Sequence, residues 1–279
     1  MAVSLIGIPA ILFFSWQGGW WWTVFLMLLA FVGFWEYSRL VKLPWFLLFL
    51  GLLLGFGYLY RLSSGSVRFL DEFLLIGFFA VVAFLILRRK VEGSISEAAH
   101  FILGLIYIPG FLGFGKSLEL WLSQFPAGVN ITIGGEDLFR MTEVHPQLWL
   151  LVFLWAAIWA TDTAAYFVGA WLGRSHPFPT ISPNKTVEGF LGGFAGSIVV
   201  AVIFFLTKKF AFGLGFTAGL ALTIAFFGQL GDLFESLLKR SSDVKDVSHL
   251  IAVHGGVLDR FDSFLFALAA AYFFVVFFA

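Results

Sequence analysis

Apolar residues in this chain come in long runs separated by short clusters of charged residues, Gly, Pro and Ser, and the period-two alternation of a membrane β-barrel is absent. A helix needs about 20 apolar residues to cross a hydrocarbon core of roughly 30 Å at about 1.5 Å per residue. Cutting the chain at its polar clusters predicts nine spans: Val3–Trp16, Trp20–Ser38, Trp45–Tyr60, Phe69–Leu87, Ala98–Phe114, Leu148–Leu172, Val187–Leu206, Phe216–Leu238 and Gly256–Phe278. The first and third are short, which makes eight the smaller count. The predicted fold class is therefore an all-α polytopic integral membrane protein of eight or nine transmembrane helices. Residues 1–147 are expected to supply N-terminal membrane helices and an external loop, and residues 148–279 the C-terminal membrane helices with cytoplasmic loops, within one continuous membrane domain. The opening run lacks a basic stretch and a small-residue cleavage pattern, so it reads as a first helix and not as a cleaved signal.

Composition agrees with this reading. Of the 279 residues 60% are hydrophobic, 20% aromatic and 12% charged, whereas a soluble domain carries about 25% charged residues. Seventeen Lys and Arg balance 17 Asp and Glu, so no basic excess points to a nucleic-acid partner. The absence of cysteine excludes disulfides, thiolate metal sites and cysteine nucleophiles.

The positive charges set the expected orientation. With nine spans, the connections after the second, fourth, sixth and eighth hold Arg39, Lys42, Arg88, Arg89, Lys90, Arg174, Lys185, Lys239, Arg240, Lys245 and Arg260, which is 11 of the 17. Those loops are expected in the cytoplasm. The one long connection, 115–147, carries Glu119, Glu136, Asp137 and Glu143 and is expected on the external side as a lid or spacer.

Acidic residues inside apolar helices cost a few kcal/mol each and require a reason. Asp162 lies mid-helix between Thr161 and Thr163, Asp232 and Glu235 share a helix face, and Asp259 and Asp262 repeat that spacing at the start of the last span. Five carboxylates near one depth suggest a cation site. Structural pairing is the alternative, with Glu235 reaching Lys239 at i,i+4 and Asp259 beside Arg260.

Two polar connections hold the complementary chemistry. Ser182, Pro183, Asn184, Lys185 and Thr186 open a helix, and a helix N-terminus with a lysine and two hydroxyls can cradle phosphate; a plain helix cap is the alternative. Between Ser236 and Asp262 the chain compresses Lys239, Arg240, Lys245, Asp246, His254, Gly255, Gly256, Asp259 and Arg260 into 27 residues. Adjacent glycines there mark backbone that takes unusual angles or approaches a ligand closely.

This run, Ser236 through Lys239-Arg240, Lys245-Asp246, His254-Gly255-Gly256 and Asp259-Arg260-Phe261-Asp262, resembles the signature of the phosphatidate cytidylyltransferases (CDP-diacylglycerol synthases). Ser182 to Gly189, Thr161 to Gly169, Gly231 to Ser236 and Trp35 to Leu40 are similar to that family's other landmarks, in the same order. Ala252-Val253 stand where the family usually has Pro-Gly, and the basic residues that often precede its first helix are missing.

The resemblance implies CTP and membrane phosphatidate as partners, giving CDP-diacylglycerol and pyrophosphate. It implies Mg²⁺ on Asp232 and Asp259, with a second cation held by Asp162, Asp262 or Glu235. Lys185, Lys239, Arg240 and Lys245 are then expected to hold triphosphate and lipid phosphate, and His254 with Gly255 and Gly256 to line the phosphate site. The expected setting is a polar, funnel-like cavity between the sixth, eighth and ninth spans, facing the cytoplasm. A CTP-dependent lipid-alcohol kinase and a cation-coupled transporter are the competing readings; the clustered loops and the lack of an inverted repeat speak against transport. Gly189, Gly192, Gly193 and Gly196 suit close helix packing, inside the fold or across a homodimer.

Overall fold

The computed structural model describes residues 2–65, 70–89, 91–123, 130–133, 136–140, 146–207, 213–242 and 256–278. In chain order these form α1 (Ala2–Gln17), α2 (Gly19–Leu40), α3 (Trp45–Ser63), α4 (Leu70–Arg88), α5 (Ser94–Leu105), a π-helical turn (Ile106–Gly110), α6 (Phe111–Ser123), β1 (Asn130–Ile133), β2 (Glu136–Arg140), α7 (Pro146–Leu172), α8 (Val187–Leu206), α9 (Leu214–Ser241) and α10 (Leu258–Phe278). Counting α5, the π turn and α6 as one span, eight helices among the described residues are long and apolar enough to cross a membrane. Helix α1, at 16 residues, is the short one. The protein is thus a helical polytopic membrane protein, with one addition: β1 and β2 pair antiparallel, Asn130 opposite Arg140.

Two boundaries differ from expectation for physical reasons. The third span runs to Ser63, 19 residues, because Arg61 sits in its last turn, where a long basic side chain can extend toward the headgroups. The fifth span was expected to stop at Phe114, before Lys116, yet the helix continues to Ser123. Lys116 is neutralised inside it: its Nζ lies 2.7 Å from Glu119 Oε2 and donates to the Gly19 carbonyl at 3.1 Å. The other Glu119 oxygen accepts the Gly19 N–H. The long connection that was expected on the external side therefore shortens to 124–145 and contains the hairpin. Within this span Pro109 has no N–H to donate to Leu105, and the ladder slips so that the Phe111 N–H reaches the Ile106 carbonyl.

Helix ends are set locally. Helix α2 closes with Lys42 in the left-handed region, φ 55°, and with the Leu43 N–H on the Ser38 carbonyl at 2.8 Å; Pro44 then prevents continuation.

Lipid tails supply no hydrophobic drive between helices, so close approach depends on small residues. Helices α7 and α8 meet along such a seam. A Cβ placed on Gly189 would lie 2.8 Å from the Ala165 carbonyl oxygen, one on Gly192 would lie 2.6 Å from Val168 Cβ, and one on Gly196 would lie 2.5 Å from the Ala160 carbonyl oxygen. The stripe that suggested a homodimer is used inside the chain. Helices α9 and α10 approach equally closely, since a Cβ on Gly231 would come within 2.5 Å of the Asp262 carbonyl oxygen. That contact brings the acidic faces of the two helices together.

Candidate active site

The crossing of α9 and α10 at Gly231 sets the geometry of the carboxylates. Asp232 and Glu235, one helical turn apart on α9, and Asp262 on α10 each present an oxygen, and the three oxygens lie within 4.8 Å of one another. Glu235 is 1% exposed and Asp262 8% exposed, whereas Asp232 opens toward a cavity. The second Glu235 oxygen, Oε1, is buried without a hydrogen-bond partner. Hard oxygen donors, one of them without a hydrogen-bond partner, suit a divalent cation.

Asp259 is not one of this trio but borders it through Lys239. Its Oδ1 is 3.0 Å from Lys239 Nζ, and its Oδ2 accepts the Gly256 N–H at 2.8 Å. Lys239 is shared, since it also forms an ion pair with Glu235 at i,i+4. The structural pairing anticipated for Glu235 is therefore present beside its place in the acidic cluster. Asp259 pairs with Lys239 across the α9–α10 junction.

The segment preceding α8 caps that helix and also reaches the acidic trio. Thr186 is the N-cap of α8, its Oγ1 accepting the Gly189 N–H at 3.0 Å. Lys185, one residue earlier, extends away from the cap to Asp232 Oδ2 at 2.7 Å and to the Gln229 carbonyl at 3.4 Å. Ser182 accepts the Lys185 backbone N–H at 3.2 Å, and Asn184 lines the cavity. Glu188 folds the preceding loop onto the helix, accepting the Arg174 and Ser175 N–H groups at 3.1 and 3.2 Å. Arg240, at the end of α9, donates to the Ile181 carbonyl at 3.4 Å and ties the two cationic segments together. Arg260 lies on the exposed side of the first turn of α10. Lys245, Asp246, His254 and Gly255 lie outside the described residues.

The cavity measures about 820 Å³ and is bounded by α7, α8, α9 and the 173–186 loop. Two features differ from expectation. Helix α8 forms a wall in place of α10, because the glycine seam holds α8 against α7 beside Asp162. The lining is chiefly apolar, with Phe190, Leu191, Phe226 and Leu230, and Asp162, Asn184, Lys185 and Asp232 give it polar groups. His176 and Gln229 also line it, and sequence reasoning had passed over both. Gln229 lies three residues before Asp232 on α9, which was a usable signal; His176 had none.

Comparison with known proteins places relatives beside this chain. A family model described as "Cytidylyltransferase family" matches residues 1–278. A phosphatidate cytidylyltransferase of Synechocystis sp. is 32% identical over 281 aligned positions, covering 98% of this chain and 94% of that protein. One of Bacillus subtilis is 50% identical over 122 residues, 44% of this chain and 45% of that protein's own length. One of Staphylococcus aureus is 43% identical over 118 residues, 42% of this chain and 45% of that protein. With a family match along nearly its whole length, the chain belongs to the cytidylyltransferase family.

Proposed function

We propose that this membrane enzyme transfers the cytidylyl group of CTP to phosphatidate, giving CDP-diacylglycerol and pyrophosphate. The observation that carries this reading is the cavity of about 820 Å³ whose walls are apolar while its polar end joins Asp162, Lys185 and Asp232. That polarity matches a substrate with acyl chains at one end and a phosphate at the other.

In the reaction an oxygen of the phosphatidate phosphate attacks the α-phosphorus of CTP. A new P–O bond forms as the bond from the α-phosphorus to the bridging oxygen breaks, and pyrophosphate leaves with that electron pair. No side chain needs to take a proton from the nucleophile, because a phosphate monoester is already ionised near neutral pH. The barrier lies in bringing two polyanions together, so charge neutralisation and alignment dominate it. Lys185 and Lys239, each held by a carboxylate in this structure, are positioned to exchange that partner for phosphate oxygens. Asp232, Glu235 and Asp262 would hold Mg²⁺, with Asp162 and Asp259 flanking them. Bound there, the ion would neutralise charge at the α-phosphate and the departing pyrophosphate.

The test uses the purified protein in detergent with phosphatidate, in parallel with CTP labelled in the cytosine ring and CTP labelled at the γ-phosphate. Ring label is expected in the lipid phase, with γ-label released as pyrophosphate. Transfer of γ-label alone identifies a lipid kinase and overturns the proposal.

We also place the site on the cytoplasmic side, supported by the 11 of 17 basic residues at the C-terminal ends of α2, α4, α7 and α9, in the segments that follow them and in the first turn of α10, and by the gathering of the α2, α9 and α10 ends around it. Single cysteines put into this cysteine-free chain test this with an impermeant maleimide on intact cells. Ser123→Cys is expected to label directly and Ser241→Cys only after permeabilisation; the opposite pattern inverts the topology.

A further inference from the structure

A helix N-terminus presents unpaired N–H groups and positive dipole, which suits it to binding phosphate, and α10 has such an end beside the acidic trio. Here its donors are already engaged. The Val257 N–H donates to Glu36 Oε1 at 3.0 Å and the Leu258 N–H to Glu36 Oε2 at 2.7 Å, across 221 and 222 residues of sequence. Glu36 belongs to α2, far along the chain, and is fully buried at 0% exposure. The preceding donor, the Gly256 N–H, is taken by Asp259. Gly256 is pressed against the same carboxylate: a Cβ on it would lie 2.9 Å from both Glu36 oxygens.

We infer that Glu36 is a positioning residue for the cytidylyl-transfer site, clamping the Gly256–Leu258 turn so that Asp259 is held toward Lys239. A buried carboxylate receiving two N–H groups at a helix N-terminus is in a favourable place for its charge. The two hydrogen bonds fix both the position and the rotation of the first turn of α10. That turn carries Asp259, and Asp262 follows on the same helix. Glu36 touches no reacting atom in this arrangement and acts through the backbone of α10. Only glycine at position 256 lets the turn come this near. The inference rests on the functional reading given above for its catalytic consequence, while the clamp itself is a matter of structure.

The experiment compares the full-length protein with Glu36→Gln, Glu36→Ala, Gly256→Ala and the double variant Glu36→Ala with Gly256→Ala. Glu36→Gln keeps one acceptor oxygen and is expected to elute as the parent does, with kcat lowered about tenfold or more and the KM for phosphatidate unchanged, since small misplacements of reacting groups act on turnover. Glu36→Ala is expected to fall further. Removing the carboxylate also removes the obstacle to a methyl group, so the double variant should be no worse than Glu36→Ala alone. Additive losses, or a raised KM with normal kcat, overturn the inference. A second arm needs no activity: Val257→Cys, alone and with Glu36→Ala, is labelled with a maleimide in detergent. Faster labelling without Glu36 supports the clamp, and equal rates overturn it. Absence of cytidylyl transfer by the parent protein defeats the functional reading, and the labelling arm then decides the clamp by itself.

Discussion

Asp232→Asn should lower turnover by about 10³-fold while leaving the protein folded, because this carboxylate joins two arrangements that the reaction needs at once. It supplies one oxygen of the trio with Glu235 and Asp262, and it holds Lys185 at 2.7 Å. The amide keeps the volume but loses the charge, so both the cation affinity and the lysine's anchor fall together. Folding is spared for a reason visible in the exposures: the Asp232 and Lys185 side chains are 42% and 26% exposed, so neither is left as a buried unpaired charge. The measurement is the initial rate of CDP-lipid formation beside the size-exclusion profile of the purified variant. Unchanged turnover removes Asp232 from the site. Lys185→Ala separates the two roles: it should raise the KM for CTP or lower kcat while leaving the carboxylate trio and its cation dependence in place. Normal kinetics with lowered thermal stability would reduce the segment before α8 to a helix cap.

The largest effect on stability is expected far from the chemistry, at Lys116. Its side chain is 4% exposed and that of its partner Glu119 9% exposed, and both also bind the backbone of Gly19 at the start of α2. Lys116→Ala leaves Glu119 charged and unpaired among buried groups, which costs about 3–5 kcal/mol. The melting temperature in detergent should drop sharply, while kcat measured on the surviving folded fraction stays near that of the parent. Lys116→Met combined with Glu119→Leu removes both charges and should recover much of the loss, since a buried pair is often replaceable by apolar groups of similar size. A single variant that melts with the parent would show the pair to be open to water.

The same pair explains where sequence reading fell short. Length and apolar run identified the spans, because the backbone must satisfy its own hydrogen bonds in lipid and a helix does so only over about 20 residues. Lys116 looked like the end of a span because charge in lipid is costly when unpaired, and nothing in the local sequence disclosed its bond to Gly19. The site was legible to a similar depth. Asp232, Glu235 and Asp262 stood out as acids in apolar surroundings, and their i,i+3 spacings placed them on single faces of helices. Which of the five acids converge depends on how closely α9 and α10 cross at Gly231, a contact between residues about 30 positions apart. Glu36 was visible only as part of a familiar stretch, because its partners are backbone N–H groups and a backbone donor has no letter in the sequence.

The seam between α7 and α8 bears on how much substitution this enzyme can absorb. At Gly189 and Gly196 the obstacles to even a methyl group are the carbonyl oxygens of Ala165 and Ala160, at 2.8 and 2.5 Å. A crowded side chain can turn to another rotamer, but a carbonyl committed to its own helix cannot. The added volume must instead push α7 outward as a rigid rod. Asp162 rides on that rod two residues beyond Ala160, so the displacement arrives at the polar end of the cavity. A substitution survey that scores lost functional groups would rank alanine at these positions as harmless. The backbone places them among the least tolerant positions in the chain, and it makes them natural sites for variants that disable turnover while every charged residue stays in place.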